Sequence, residues 1–98
     1  MLRVRVANSE ECYSFLAHNM EEAMFCIKAF DASGFELVSI RQSVLDPDEN
    51  EMLAIVLREY STSTFVYMYF TDIDRALMAA REIESRKGDI RFVRAFRT

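Results

Sequence analysis

Three side chains carry the reactivity that nucleophilic catalysis needs: His18, Cys12 and Cys26. A thiol becomes a nucleophile when a base within hydrogen-bond reach takes its proton, with a third group orienting that base. His18 falls just before a helix expected from Met20, and Cys26 falls two turns along it. The rise of 1.5 Å per residue puts the two roughly 10 Å apart. That distance argues against a direct hydrogen bond, and nothing in the pattern supplies the orienting group. Cys26 therefore reads as a small core residue.

Other chemistries fail on spacing. Asp46, Asp48 and Asn50 match positions 1, 3 and 5 of a calcium-binding loop. Glu51 stands where that loop needs glycine and Leu57 where it needs a bidentate glutamate. The stretch from Leu45 to Glu51 reads instead as a solvated acidic loop, suited at most to an electrostatic contact with a basic partner. One histidine and two distant cysteines without CxxC spacing cannot hold zinc. Gly34 and Gly88 are the sole glycines, so no phosphate-cradling loop is present. With 16 carboxylates in 98 residues, any particular acidic pair is coincidence. The expectation is a protein that is not an enzyme and carries no cofactor or metal.

Recognition chemistry is better represented. Ten of the twelve cations are arginines, Lys28 and Lys87 being the exceptions. Arginine suits bidentate contact with carboxylate or phosphate, although a base-composition bias enriches it equally well. Arg3 and Arg5 share one face of a first strand, Arg91 and Arg97 one face of the last, and Tyr67 and Tyr69 one face of another. Were these faces to coincide, the open side of the sheet would be basic and aromatic, a composition used for single-stranded nucleic acid. The short segments Arg5-Val6-Ala7-Asn8 and Thr64-Phe65-Val66-Tyr67 lack the glycines of RNA-recognition strands. The first of them carries arginine where a stacking aromatic belongs, which argues against nucleic acid as the partner.

These side chains must be positioned by elements readable from periodicity. Leu2, Val4 and Val6 alternate with Arg3, Arg5 and Ala7, the pattern of a strand with one wet face. Residues 12–17 have two readings. They form a second strand with Tyr13, Phe15 and Ala17 on one face, or part of a helix from Ser9 to about Ala32. Asn19 followed by Glu22 is a capping box that favours the first. Met20 to Ala32 is helical and Gly34 stops it. Phe35–Gln42, Met52–Tyr60 and Thr64–Phe70 read as strands, the last two forming a hairpin through Ser61-Thr62-Ser63. Thr71 or Asp72 caps a second helix running to about Lys87, and Ile90–Arg97 is the last strand. Each half then reads β-β-α-β around the acidic loop. The element order predicts one α+β domain over residues 1–98: a two-layer sandwich of ferredoxin-like type, with two helices on one face of a mostly antiparallel sheet. The apolar run Phe65–Phe70 would be a sticky edge, so it is placed inside the sheet.

The second helix is amphipathic, with Ile73, Ala76, Leu77, Ala80 and Ile83 on one side and charged residues, among them Arg81 and Arg86, on the other. The first helix is apolar over a wider arc. Met20, Ala23, Met24, Ile27 and Phe30 make an expected core stripe. Phe25, Ala29 and Ala32, flanked by Cys26, make a second stripe that one sheet face cannot cover. That second stripe is the candidate surface for a protein partner or for a second copy of the chain.

Composition sets the outer bounds. A chain of 11.4 kDa with 51% hydrophobic and 29% charged residues folds without staples. Two isolated cysteines suggest thiols in a reducing, cytoplasmic setting. The N-terminal segment has no apolar signal-peptide core, and the longest apolar run, Phe65 to Phe70, is too short to cross a membrane. The net charge of −4 divides unevenly: residues 1–60 hold 5 basic and 11 acidic side chains, residues 61–98 hold 7 and 5. Together these features predict an acidic interaction module, regulatory, adaptor or inhibitor, acting by occupying a surface on a partner. Small inhibitors of host defence encoded by phages share the profile, as do bacterial adaptors. A regulatory domain that binds a small ligand in a crevice is the alternative reading, and single-stranded nucleic-acid binding through the sheet face is a further one.

Overall fold

A computed structural model of the chain describes residues 1–85 and 88–98. Its elements are β1 (Leu2–Ala7), β2 (Cys12–Ala17), α1 (Met20–Asp31), β3 (Glu36–Gln42), β4 (Leu53–Glu59), β5 (Thr64–Phe70), α2 (Ile73–Glu84) and β6 (Ile90–Arg97). Residues 12–17 are thus a strand. The expected extension of α2 to Lys87, with Arg86 on its polar side, lies outside the described residues.

The helix boundaries follow local chemistry. Asn19 is extended and its side-chain oxygen accepts from the Glu22 amide at 2.9 Å. The return arm of the box reaches one residue further back than expected, since Glu22 accepts from the His18 amide at 3.3 Å. Gly34 takes φ +80° as the chain leaves α1, a conformation that penalises any side chain with a Cβ. Asp72 caps α2, accepting from the amides of Asp74 and Arg75 at 2.9 and 3.2 Å. Each cap satisfies backbone donors that have no partner within the helix.

All six strands form one sheet of order β3-β1-β2-β5-β4-β6, and every neighbouring pair is antiparallel. The coarse expectation is met: an α+β fold with a six-stranded antiparallel sheet and two helices. The strand order does not establish the ferredoxin-like arrangement. It describes two three-stranded units, β3-β1-β2 and β6-β4-β5, joined edge to edge by a short pairing of Leu16 with Tyr69. Within each unit the helix connects two parallel strands with a third between them, the split β-α-β arrangement.

The units repeat in detail. Leu2 pairs with Ala17 as Leu53 pairs with Phe70. A register shift between Arg5 and Val6 in the β1–β3 pairing recurs between Val56 and Leu57 in the β4–β6 pairing. The extra residues opposite these shifts are Val38 and Val93. Both helices have 12 residues, and Leu16 and Tyr69, each one residue before the end of its strand, meet at the join. The repeat expected around the acidic loop is therefore present in topology and register.

One core cluster takes Ala23, Cys26 and Phe30 from α1, Ala76, Ala79 and Ile83 from α2, and alternate residues of the strands: Val4, Val6, Phe15, Ile55, Leu57, Met68 and Phe70. Both helices therefore cover the same face. Phe30 is the aromatic hub, with ring centroids 5.3 to 5.8 Å from Phe35, Tyr13 and Phe15. A smaller cluster on the opposite face joins Leu16, Met52, Ala54 and Tyr69, with Met1, Leu45 and Phe96 against it. The run Phe65–Phe70 lies inside the sheet, between β2 and β4.

The expected core stripe of α1 is corrected in one respect. Met20 and Met24 are each 51% exposed, and the buried positions are Ala23, Cys26, Ala29 and Phe30. In α2, Ile73 and Leu77 likewise move to the rim, while Ala76, Ala79, Ala80 and Ile83 are buried. Small residues let each helix approach the sheet closely, and the larger side chains beside them turn outward. Among the described residues, no helix is long and apolar enough to cross a membrane.

Candidate functional site

The partner stripe expected on α1 divides between core and surface. Cys26 is fully buried and Ala29 nearly so, whereas Phe25 is half-buried and Ala32 exposed. Burial pushes the Cys26 thiol well above the usual thiol range, with Glu22 adding in the same direction, so it stays protonated and inert. Phe25 lies in a groove of about 780 Å³ between α1, the start of β3 and the end of β4. Met24, Phe25, Ile27, Phe35 and Leu37 make its apolar lining, and Glu21, Asp31, Glu36 and Glu59 set four carboxylates around it. Lys28, the one cation of the lining among the described residues, pairs with Glu59 at 3.5 Å. That pair is largely solvent-facing on the lysine side and adds little stability. The groove is therefore apolar with an acidic rim.

The face of the sheet away from the helices carries the arginines. Val4 and Val6 point into the helix-covered core, so Arg3 and Arg5 point the other way, opposite Arg41 and Ser39 on β3. On β4 the same alternation turns out Arg58, opposite Arg91 of β6 and Phe65 of β5. Arg94 pairs with Val56 on this face, its guanidinium 5.2 Å from the Phe96 ring centre. Tyr67 and Tyr69 are here too, so five of the six residues expected to form a basic and aromatic surface share a face. Arg97 does not. The extra residue Val93 inverts the alternation of β6, placing Arg97 opposite the core residue Leu53 and in an ion pair with Glu51. A bulge cannot be read from an unpaired strand, which is why a regular count puts Arg91 and Arg97 together. Arg41, Arg58 and Arg94 escape sequence reasoning for the related reason that register is a property of two strands.

The aromatic half of this surface is less available than its arginines. Tyr69 is 6% exposed, and Tyr67 stands nearly perpendicular to both Tyr69 and Phe96. Phe65 and Tyr60 are exposed, but Arg58 already stacks against both, at 4.8 Å from Tyr60 and 5.4 Å from Phe65. The arginines themselves fall into two groups, Arg3 with Arg5 and Arg41, and Arg58 with Arg91 and Arg94. Among the described residues, no carboxylate lies within ion-pair distance of any of the six; the pairs formed use His18, Lys28, Arg75 and Arg97. Like charges directly opposite each other on a sheet are destabilising, and Arg3–Arg41 and Arg58–Arg91 are both of this kind.

A third arrangement joins residues that no spacing argument connects. His18 Nδ1 is 2.7 Å from Glu22 Oε2, and its Nε2 is 3.2 Å from the Tyr69 hydroxyl. A carboxylate only accepts, so in the neutral imidazole Nδ1 carries the proton and Nε2 accepts from Tyr69. His18 and Tyr69 line a cavity of about 540 Å³ whose walls also include Asp46, Pro47 and Asp48 of the acidic loop. A chain of carboxylate, imidazole and hydroxyl has the outline of a nucleophile relay, but the proton energetics run the other way. Burial, reinforced by Glu22, Tyr67 and Asp48, pushes Tyr69 up to about 12, so its phenolate is harder to form than in water. The arrangement fastens the start of α1 to β5. Among the described residues, no group of three histidine, cysteine or acidic side chains could hold a metal ion.

No protein-family model, curated protein or solved structure matches the chain.

Proposed function

We propose that the protein is a non-catalytic interaction module that occupies a surface of a protein partner through the α1 groove, as an adaptor or inhibitor in a reducing, cytoplasmic setting. The observation that carries this reading is the pairing of an apolar lining around Phe25 with a rim of four carboxylates and, among the described residues, one lysine. An apolar surface rimmed by one sign of charge selects a segment that is apolar on one side and basic on the other. The occupant is therefore an amphipathic basic segment of the partner. The apolar lining supplies affinity, and the carboxylates steer and orient the approach. Met24 and Leu37, both exposed, are the anchors that can be altered without touching the core.

The test uses a fluorescent fifteen-residue amphipathic peptide of leucine and lysine, read by anisotropy against its leucine and glutamate counterpart. The lysine peptide binds the wild type, binding weakens at least tenfold in the Met24→Lys, Leu37→Lys double variant, and the glutamate peptide does not bind. Equal binding of the two peptides removes the role of the rim and overturns the reading. Light scattering after size exclusion is run alongside. A wild-type dimer that the double variant converts to a folded monomer assigns the groove to a second copy of the chain instead.

A further inference from the structure

We propose that Arg3, Arg5 and Arg41, with Ser39, form a binding site for a phosphomonoester dianion on the outer face of the β1–β3 pair. The inference is independent of the α1 groove, which borders the same strand β3 but shares none of these residues. These four residues and Val38 line a cavity of about 280 Å³ that contains no acidic side chain. Arg3 and Arg41 sit directly across from each other, and Arg5 and Ser39 form the next outward-facing pair along the same two strands. Three arginines and a serine therefore line one small volume.

The local backbone is shaped for this. The register shift after Arg5 places Val38 as an extra residue, so that Val38 and Ser39, neighbours in sequence, both line the cavity. Arg3 is held from the β2 side, its Nη1 donating to Ser14 Oγ at 2.8 Å, which orders this guanidinium and leaves its other donors for a ligand. The remaining guanidinium donors of the trio have no carboxylate among the described residues, in a chain that holds 16. A sequence with a net charge of −4 had ample anions to place opposite them. It places arginine against arginine, and the mutual repulsion is relieved when an anion sits between them. Arginine forks match pairs of oxygens on a phosphate, and three positive charges are offset more fully by a monoester dianion than by the single negative charge of a diester. Arg58, Arg91 and Arg94 differ in being committed to aromatic rings: Arg58 and Arg91 to Tyr60, Arg94 to Phe96. They supply the internal comparison.

The experiment is titration of the isotope-labelled protein with inorganic phosphate at constant ionic strength, followed through amide shifts, with chloride as the reference. Phosphate shifts the amides of Arg3, Arg5, Ser39 and Arg41 saturably. Its Kd rises at least tenfold in Arg3→Gln and in Arg41→Gln and less than twofold in Arg94→Gln. Arg41→Lys keeps the charge but loses the fork, and weakens binding by an intermediate amount. Affinity increases between pH 5 and pH 7.5 as the second phosphate proton leaves. A nucleoside 5′-monophosphate reproduces the shifts, whereas an oligonucleotide without terminal phosphates does not. No saturable shift up to 10 mM overturns the proposal and leaves the arginines as guards of the β3 edge. Equal weakening by Arg94→Gln, or equal binding of the oligonucleotide, overturns it in favour of diffuse attraction for any polyanion. If a glutamine variant loses its folded spectrum, the lysine variant and the wild-type pH profile decide.

Discussion

At the scale of single residues, the environment of a group decides its chemistry more than its type does. His18 and Cys26 look like a catalytic pair in waiting, yet Cys26 is sealed in the core and His18 is engaged by Glu22 and Tyr69. Spacing alone was sufficient to separate the thiol from the imidazole. It was silent about Tyr69, which lies far away in sequence and arrives through the β2–β5 join. The proton on Tyr69 makes a testable contribution to stability. Its folded-state value of about 12 lies above the ordinary 10.0, so the folded protein holds this proton more tightly than the unfolded chain does. The stabilisation is fully present below pH 10 and is lost as pH rises through 12. Urea titrations between pH 9 and pH 12 should show the wild type losing stability more steeply than Tyr69→Phe. Parallel curves for the two proteins would mean that the hydroxyl is not held as described.

At the scale of elements, periodicity located nearly every strand and helix but not the direction each one faces. Thr64–Phe70 and Ile90–Arg97 have the bounds their patterns predict, and α1 starts at Met20 as its cap requires. The face of α1 was harder to read because apolar residues surround most of it. A count of 3.6 then fits more than one stripe, and packing makes the choice. The aromatic cluster of Tyr13, Phe15 and Phe35 captures Phe30, and once that ring is seated, Ala23 and Cys26 must turn inward and Met20 and Met24 outward. This geometry predicts a wide gap between two residues six positions apart. Phe30→Ala leaves a cavity at the hub and costs about 3–5 kcal/mol. Met24→Ala, at a half-exposed position, stays within about 0.5 kcal/mol. Chemical denaturation of both variants measures the gap. A costly Met24→Ala with a tolerated Phe30→Ala would return the helix to the orientation suggested by its first apolar stripe.

At the scale of the whole molecule, charge that appeared to be divided along the chain is regrouped by strand pairing. The acidic excess of residues 1–60 masks Arg3, Arg5, Arg41 and Arg58, all of which leave the acidic groove behind and join Arg91 and Arg94 on the far face. Long-range pairing does this, and no count along the sequence contains it. The same pairing makes the two β-β-α-β units interdependent despite their likeness. Their strands touch through a short join at Leu16 and Tyr69, which alone is a weak tie. The principal core is another matter, since it takes side chains from β1, β2 and α1 together with others from β4, β5 and α2. The main chain crosses once between the units, through the exposed loop that contains Asp48, Glu49 and Asn50. A unit of about 50 residues separated from the other would expose half of that core and bury too little apolar surface to offset its conformational entropy. Peptides comprising residues 1–48 and 49–98 should each be unfolded by circular dichroism, and mixing them should restore helix and strand signal with one cooperative melting transition. A unit that folds alone would show instead that the join, and not a shared core, is what holds the two halves together.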